Sequence, residues 1–401
     1  MRMIEKGKAL PFPFLFIVQA FIVNFWLVYK FKEMEVSMRK LKRRLLSTVV
    51  AVMASLACVG SAFAATIYFD IAASSVTLTD TKYTGYQYNS AGSVVTITGE
   101  HKADNKYIIY QSSANTRATR TDFSQSWVPA YPSMTDASGN PWSTFIKNRK
   151  DFATVIETWS SRAAISGRAS VSNKIKVTGN SKFDIELRDV WIYTSKQTDG
   201  SITYIPSSPK GTGQLTIRYS GDNRLTNIRY HSGTSEQYQI SGATTKLILE
   251  GSETGTLTVG SKTTTSAENY WASVIGAYDA RSGSEGIYIK SGNLWVGSSQ
   301  KDDCAAIGGG GNGVGVIYIE GGVTTATNQS TGATIGGGIG YTSYGGNGHV
   351  YITGGEVYAY NSNNASVVPA VAIGGGSSYH NMGCRQSSVD ISGNAKVYAE
   401  S

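Results

Sequence analysis

Short runs alternating apolar and polar residues, each followed by glycine or another turn former, dominate the second half of the chain. Ile287-Tyr288-Ile289, Ile317-Tyr318-Ile319, Val350-Tyr351-Ile352 and Val389-Asp390-Ile391 share one shape. A second series follows them: Leu294-Trp295-Val296, Thr324-Thr325-Ala326, Val357-Tyr358-Ala359 and Val397-Tyr398-Ala399. A third series ends at Ile275, Ile307, Ile335 and Ile373, each before glycine, at intervals of 32, 28 and 38 residues. Period two predicts strands with the outer residues of each triplet pointing inward and the middle residue outward. Strands this short need neighbours for hydrogen bonds and core, and repeats of this length imply stacked units. Four-stranded propeller blades would need longer strands. The pattern therefore predicts an all-β chain wound as a three-sided parallel β-helix.

The Ile307-Gly308-Gly309-Gly310 signature fits a solenoid corner, where bending calls for positive φ and stacked coils leave little room for Cβ atoms. A phosphate-binding loop would add a lysine and a following helix, and neither is present. Less regular strand-turn units lie upstream at Ser93–Thr98, Lys174–Thr178, Phe183–Leu187, Gln214–Arg218, Lys246–Leu249 and Thr256–Val259. Asn180 and Asn223 suit left-handed turn positions. The stretch 112–162, with Trp127, Trp142 and Trp159, breaks the pattern and reads as an inserted loop or lateral cap. The expected layout is first β-helix strands over 65–111, the insert over 112–162, and β-helix over 163–401, with Ile-Gly repeats from 272.

Charge then changes the picture. The net charge of +8 suggests a polyanion partner. However, ten basic and three acidic side chains precede Ala65, which leaves +1 for the remainder. A nearly neutral mature chain argues against a nucleic-acid partner. Met38 to Ala64 has the three parts of a secretory signal peptide: basic Arg39–Arg44, apolar Leu45–Val59 and the cleavage site Ala62-Phe63-Ala64. Residues 1–37 read either as in-frame upstream sequence before a true start at Met38 or as a membrane anchor. The mature part is expected outside the cell or at its surface, not embedded in a membrane. Only Cys304 and Cys384 follow the signal peptide, too few for a disulfide framework or a soft metal site.

The ordered segments VTITGEHKADNKYIIY, NKIKVTGNSKFDIELRDVWI, GQLTIRYSGDNRLTNI, TTKLILEGSETGTLTV and AAIGGG…IYIEGG resemble secreted bacterial carbohydrate-binding-domain or adhesin-like repeat proteins. The resemblance runs from about Val94 to the end of the chain. It implies a right-handed parallel β-helix similar to that of pectate lyases, and supports fold more than activity.

Outward positions stack into ladders about 4.8 Å apart. One row is Tyr288, Tyr318, Tyr351 and Asp390; another is Trp295, Thr325, Tyr358 and Tyr398. Such rows either stabilise the sheet by stacking on themselves or offer aromatic faces to sugar rings. Asp184, Glu186 and Asp189 form a candidate calcium site bridging to an acidic polysaccharide, or simply a solvated strand face. Asp302 and Asp303 admit the same two readings. Arg188, Arg218 and Arg229 could serve a lyase, but no motif places them in one groove, and His231, His349 and His380 are scattered. The leading expectation is a non-catalytic secreted or cell-surface β-helix that binds a polysaccharide or host-surface glycan, or mediates adhesion. The alternatives are a polysaccharide lyase or glycoside hydrolase on the same fold, and a structural stalk.

Overall fold

The computed structural model describes residues 64–112, 172–192, 194, 200–207, 212–230, 245–261, 273–276, 284–298, 304–311, 313–328, 331–339, 346–361, 371–378 and 386–401. All of them belong to the unit Ala64–Ser401. The expectations for the leader, for 113–162, and for Asp302, Asp303, His231, His380 and Cys384 fall outside these residues.

The described chain is all-β, as a three-sided right-handed parallel β-helix requires. Nine strands form the first sheet, from Thr66–Asp70 through Lys182–Arg188, Gln214–Ser220, Lys246–Gly251, Ser284–Ser291, Gly315–Ile319 and Gly348–Ile352 to Ser388–Ile391. Seven form the second, from Trp191–Ile192 to Lys396–Glu400, and ten the third. From Lys182–Arg188 onward the strands follow one another in the order first, second, third sheet, so hydrogen bonding runs between coils. The three repeat series are in register: Ile287, Ile317, Val350 and Val389 pair in one column, and Leu294, Thr324, Val357 and Val397 in another.

The inward residues of the three sheets make one continuous core. Its columns are mostly aliphatic, with aromatic rings such as Phe183 and Tyr204 among them, and each side chain rests on its equivalents one coil away. Thr324 is an exception. It takes a core position between Leu294 and Val357, is fully buried, and its hydroxyl finds no hydrogen-bond partner among the described residues. Thr324→Val keeps the shape and removes the orphaned hydroxyl. It is expected to raise stability by about 1 kcal/mol in urea unfolding, and a loss of stability would show that the hydroxyl is satisfied.

The corners obey the backbone argument. Gly276, Gly308, Gly336 and Gly374 pair in a column after the isoleucines, with φ of 127°, 131°, 138° and 130°. Asn180 and Asn223 depart from expectation: among the described non-glycine residues only Asp189 has positive φ, at 52°. Gly179 and Gly221 take the left-handed positions instead. Asn223 lies in a strand and uses its side chain across coils, its Oδ1 accepting from the Val190 amide at 3.0 Å and its Nδ2 donating to the Ser220 carbonyl at 2.9 Å.

The N-terminal end also differs. The stretch 65–111 is not solely first-helix strands, because Lys82–Tyr88 and Val94–Glu100 pair antiparallel to extend the third sheet past Val76–Thr79. This hairpin folds over the first coil, with Tyr83, Tyr88 and Ile97 packed against the core. It gives that end a cap.

Aromatic rings fasten the cap. His101 is buried, its Nδ1 lies 2.7 Å from the Tyr107 hydroxyl, and its ring stacks on Phe183 at 4.5 Å. Burial lowers the imidazole pKa below its ordinary 6.5, against the attraction of Asp80. A lowered folded pKa means the unfolded chain takes up the proton first. This contribution is therefore complete above about pH 6.5 and is lost as pH falls. Urea midpoints are expected to drop from neutral pH toward pH 5, and His101→Asn should flatten that slope. An unchanged slope would show that another group titrates. Asp80 is distinct in window: burial raises its pKa, but hydrogen bonds from Ser181 and Asn180 lower it overall below 3.8, so its contribution fades only in stronger acid.

Candidate functional site

The outer face of the first sheet carries most of the residues singled out from the sequence. Alternation in Ser284–Ser291, Gly315–Ile319 and Gly348–Ile352 sends Tyr288, Tyr318 and Tyr351 outward, and parallel pairing without slippage at these positions brings them into one row. Asp390 follows Tyr351, as the repeats predict, and Ile248 precedes Tyr288. The three tyrosines are half-buried. Tyr288 and Tyr318 stack at 4.5 Å with planes 7° apart, and Tyr318 and Tyr351 at 4.9 Å and 11°.

That geometry decides what the row presents. Rings stacked along the solenoid axis hide their faces against one another, so solvent meets ring edges and phenol hydroxyls. Of the two readings of this row, this spacing matches tyrosines stacked on one another, which also stabilises the sheet. The Lys246 ammonium lies 5.2 Å from the Tyr288 ring centroid. Burial pushes the Tyr288 hydroxyl pKa up, with the neighbouring Tyr318 and Glu320 adding to it.

Two residues along each strand, on the same face, runs a charged row. Arg218 joins Asp184 at 3.0 Å and Glu250 at 2.7 Å, and Lys290 faces Glu320 at 3.7 Å. Glu250, Lys290 and Glu320 were not among the sequence candidates. Their signal was present in Ile-Tyr-Ile-Lys and Ile-Tyr-Ile-Glu, where the fourth residue shares the parity of the tyrosine. Beyond this row, the corner between Gly251–Glu253, Ser291–Asn293 and Gly322–Val323 forms a cleft of about 540 Å³. The Tyr219 hydroxyl, donating to the Ser291 carbonyl at 2.9 Å, and Ser291 Oγ, donating to the Gly251 carbonyl at 2.8 Å, brace it.

Asp184, Glu186 and Asp189 do not converge. Asp184 binds Arg218; Glu186 binds Arg188 at 2.6 Å, and that hydrogen bond holds its carboxyl below the usual range despite partial burial. Asp189 sits at the corner, where its Oδ1 accepts the Asp222 amide at 3.0 Å. Among the described residues no three His, Cys, Asp or Glu side chains are grouped to hold a metal ion. Arg188 and Arg218 are engaged with these carboxylates. Arg229 lies on the third sheet, buried, donating to the Ser273 carbonyl. The histidine His349 is on the first sheet, 3.0 Å from Ser388 Oγ. Cys304 is buried.

The second predicted row is aligned as expected: Trp295, Thr325, Tyr358 and Tyr398 are consecutive partners, with Tyr358 and Tyr398 stacked at 4.9 Å. Upstream the row continues through Thr258, Arg224 and Trp191, the Arg224 guanidinium lying 4.3 Å over the Trp191 ring. Exposure separates this row from the first. Trp295 is 6% exposed and Tyr358 2%, so neither offers a ring to a ligand in this conformation.

Among the described residues no helix is long and apolar enough to cross a membrane. No protein-family model, curated protein or solved structure matches the chain.

Proposed function

We propose that this protein is a non-catalytic, exported β-helix of the cell surface that binds a carbohydrate chain along the outer face of its first sheet and thereby mediates adhesion. The observation that carries this reading is the half-buried tyrosine row, with hydroxyl-bearing rings repeating every 4.5–4.9 Å beside a polar row. A surface that repeats along its axis is suited to a ligand that does the same. Phenol hydroxyls act as both donor and acceptor, which matches the hydroxyls of sugars. The leader's three-part export pattern supports the extracellular setting.

The test keeps the stack and removes the hydroxyls. A protein carrying Tyr288→Phe, Tyr318→Phe and Tyr351→Phe together is expected to retain its fold by circular dichroism. Each neutral hydrogen bond contributes about 0.5–1.5 kcal/mol, so loss of three should weaken glycan binding by roughly tenfold or more. Unchanged affinity on a glycan array or by calorimetry would remove this row from the site. Absence of any glycan binding by the wild-type protein would favour a structural stalk.

A further inference from the structure

We infer that the carbohydrate taken by the tyrosine face is an uncharged polysaccharide, held by hydroxyl contacts and not through a calcium bridge to uronic acids. This rests on the glycan-binding reading above and narrows its ligand class. Four ion pairs cover the charged positions next to and upstream of the tyrosines: Asp184–Arg218, Arg218–Glu250, Glu186–Arg188 and Lys290–Glu320. A uronate entering here would have to replace a carboxylate already bound to its cation, exchanging one ion pair for another. A calcium ion would likewise have to draw Asp184 or Glu186 away from an arginine.

Carboxylates also recur along this face. Glu250 and Glu320 each follow by two residues an outward position of the tyrosine row, with a register shift at Glu250, and Asp390 occupies the tyrosine register itself, one coil beyond Tyr351. An acidic glycan running along the axis would meet one of these carboxylates at every second coil, with Lys290 on the coil between Glu250 and Glu320. Lys246 is the basic residue placed against the tyrosines, and its ammonium lies over the Tyr288 ring. What remains for a ligand is a strip of phenol hydroxyls, ring edges and already paired charges. Neutral sugar hydroxyls can hydrogen-bond to that strip without breaking an ion pair.

The discriminating experiment titrates the full chain with laminarin and cellohexaose as neutral probes and with polygalacturonate as the acidic one. Each titration is run at low and high salt, with calcium and with a chelator. The expected result is binding to a neutral probe whose affinity changes by less than about twofold across these conditions, because screening acts on charge–charge contacts. Tighter binding of polygalacturonate, or loss of binding in chelator, would overturn the uncharged-ligand inference while leaving carbohydrate binding in place. Failure to bind either class would overturn both.

Discussion

Replacing Gly336 with alanine is expected to detach the C-terminal coils at a denaturant concentration well below that needed for the wild-type protein. Gly336 has φ of 138°, and a Cβ there would fall far inside contact distance of the Gly374 carbonyl oxygen. That oxygen cannot move away freely, since it accepts the Gly337 amide at 2.9 Å; the Gly336 carbonyl in turn accepts the Gly309 amide at 2.8 Å. Backbone strain of about 1–3 kcal/mol and overpacking of a similar size apply together, so a loss of about 3–5 kcal/mol is expected. Solenoid stability is a sum over neighbouring coils, and the damage should stay local. Hydrogen exchange should therefore show lost protection in Gly348–Ile352 and Val371–Gly374 before Gln214–Ser220. Gly92→Ala is the control, because Gly92 has φ of 75° but nothing within 4 Å of its added carbon. It should lose only about 1–2 kcal/mol. Equal losses for the two variants would refute crowding at the corner.

Phe183→Ala is expected to loosen the opposite end. Phe183 pairs in register with Leu215, is buried, and stacks on His101. His101 in turn lies against Tyr107, which packs with Phe69 at 6.0 Å and with Tyr83 of the cap at 5.5 Å. Deleting the ring removes both its buried area and the support for this series, at about 3–5 kcal/mol. Exchange protection should fall in Lys82–Tyr88 and Val94–Glu100 and persist in Gly315–Ile319. Uniform loss along the chain would mean that the solenoid unfolds as one unit and that the cap is not separately fastened.

Much of the first sheet's surface was legible before the fold was known. The parity of Tyr288, Tyr318 and Tyr351 is a local property of each strand, and similar spacing from strand to turn carries it unchanged from coil to coil. The hairpin at Lys82–Glu100 was not legible, because an antiparallel strand has the same alternation as a parallel one. Nor was the fate of the candidate calcium ligands. The partner of Asp184 is Arg218, 34 residues away, and that of Glu186 is Arg188 on its own strand; both pairings depend on rotamers that spacing does not specify.

The sequence by itself determined the all-β class, the phase of the repeats and which residue of each triplet points away from the core. These follow from period-two alternation and from glycine at corners where a side chain cannot fit. The tertiary structure decided that the tyrosines stack on one another and turn their edges outward, that Trp295 and Tyr358 are covered although they point away from the core, and that Asp184, Glu186 and Glu250 are held by neighbouring arginines. Accessibility and pairing are properties of what lies across from a residue, and in a solenoid that neighbour belongs to the next coil or to whatever covers the sheet.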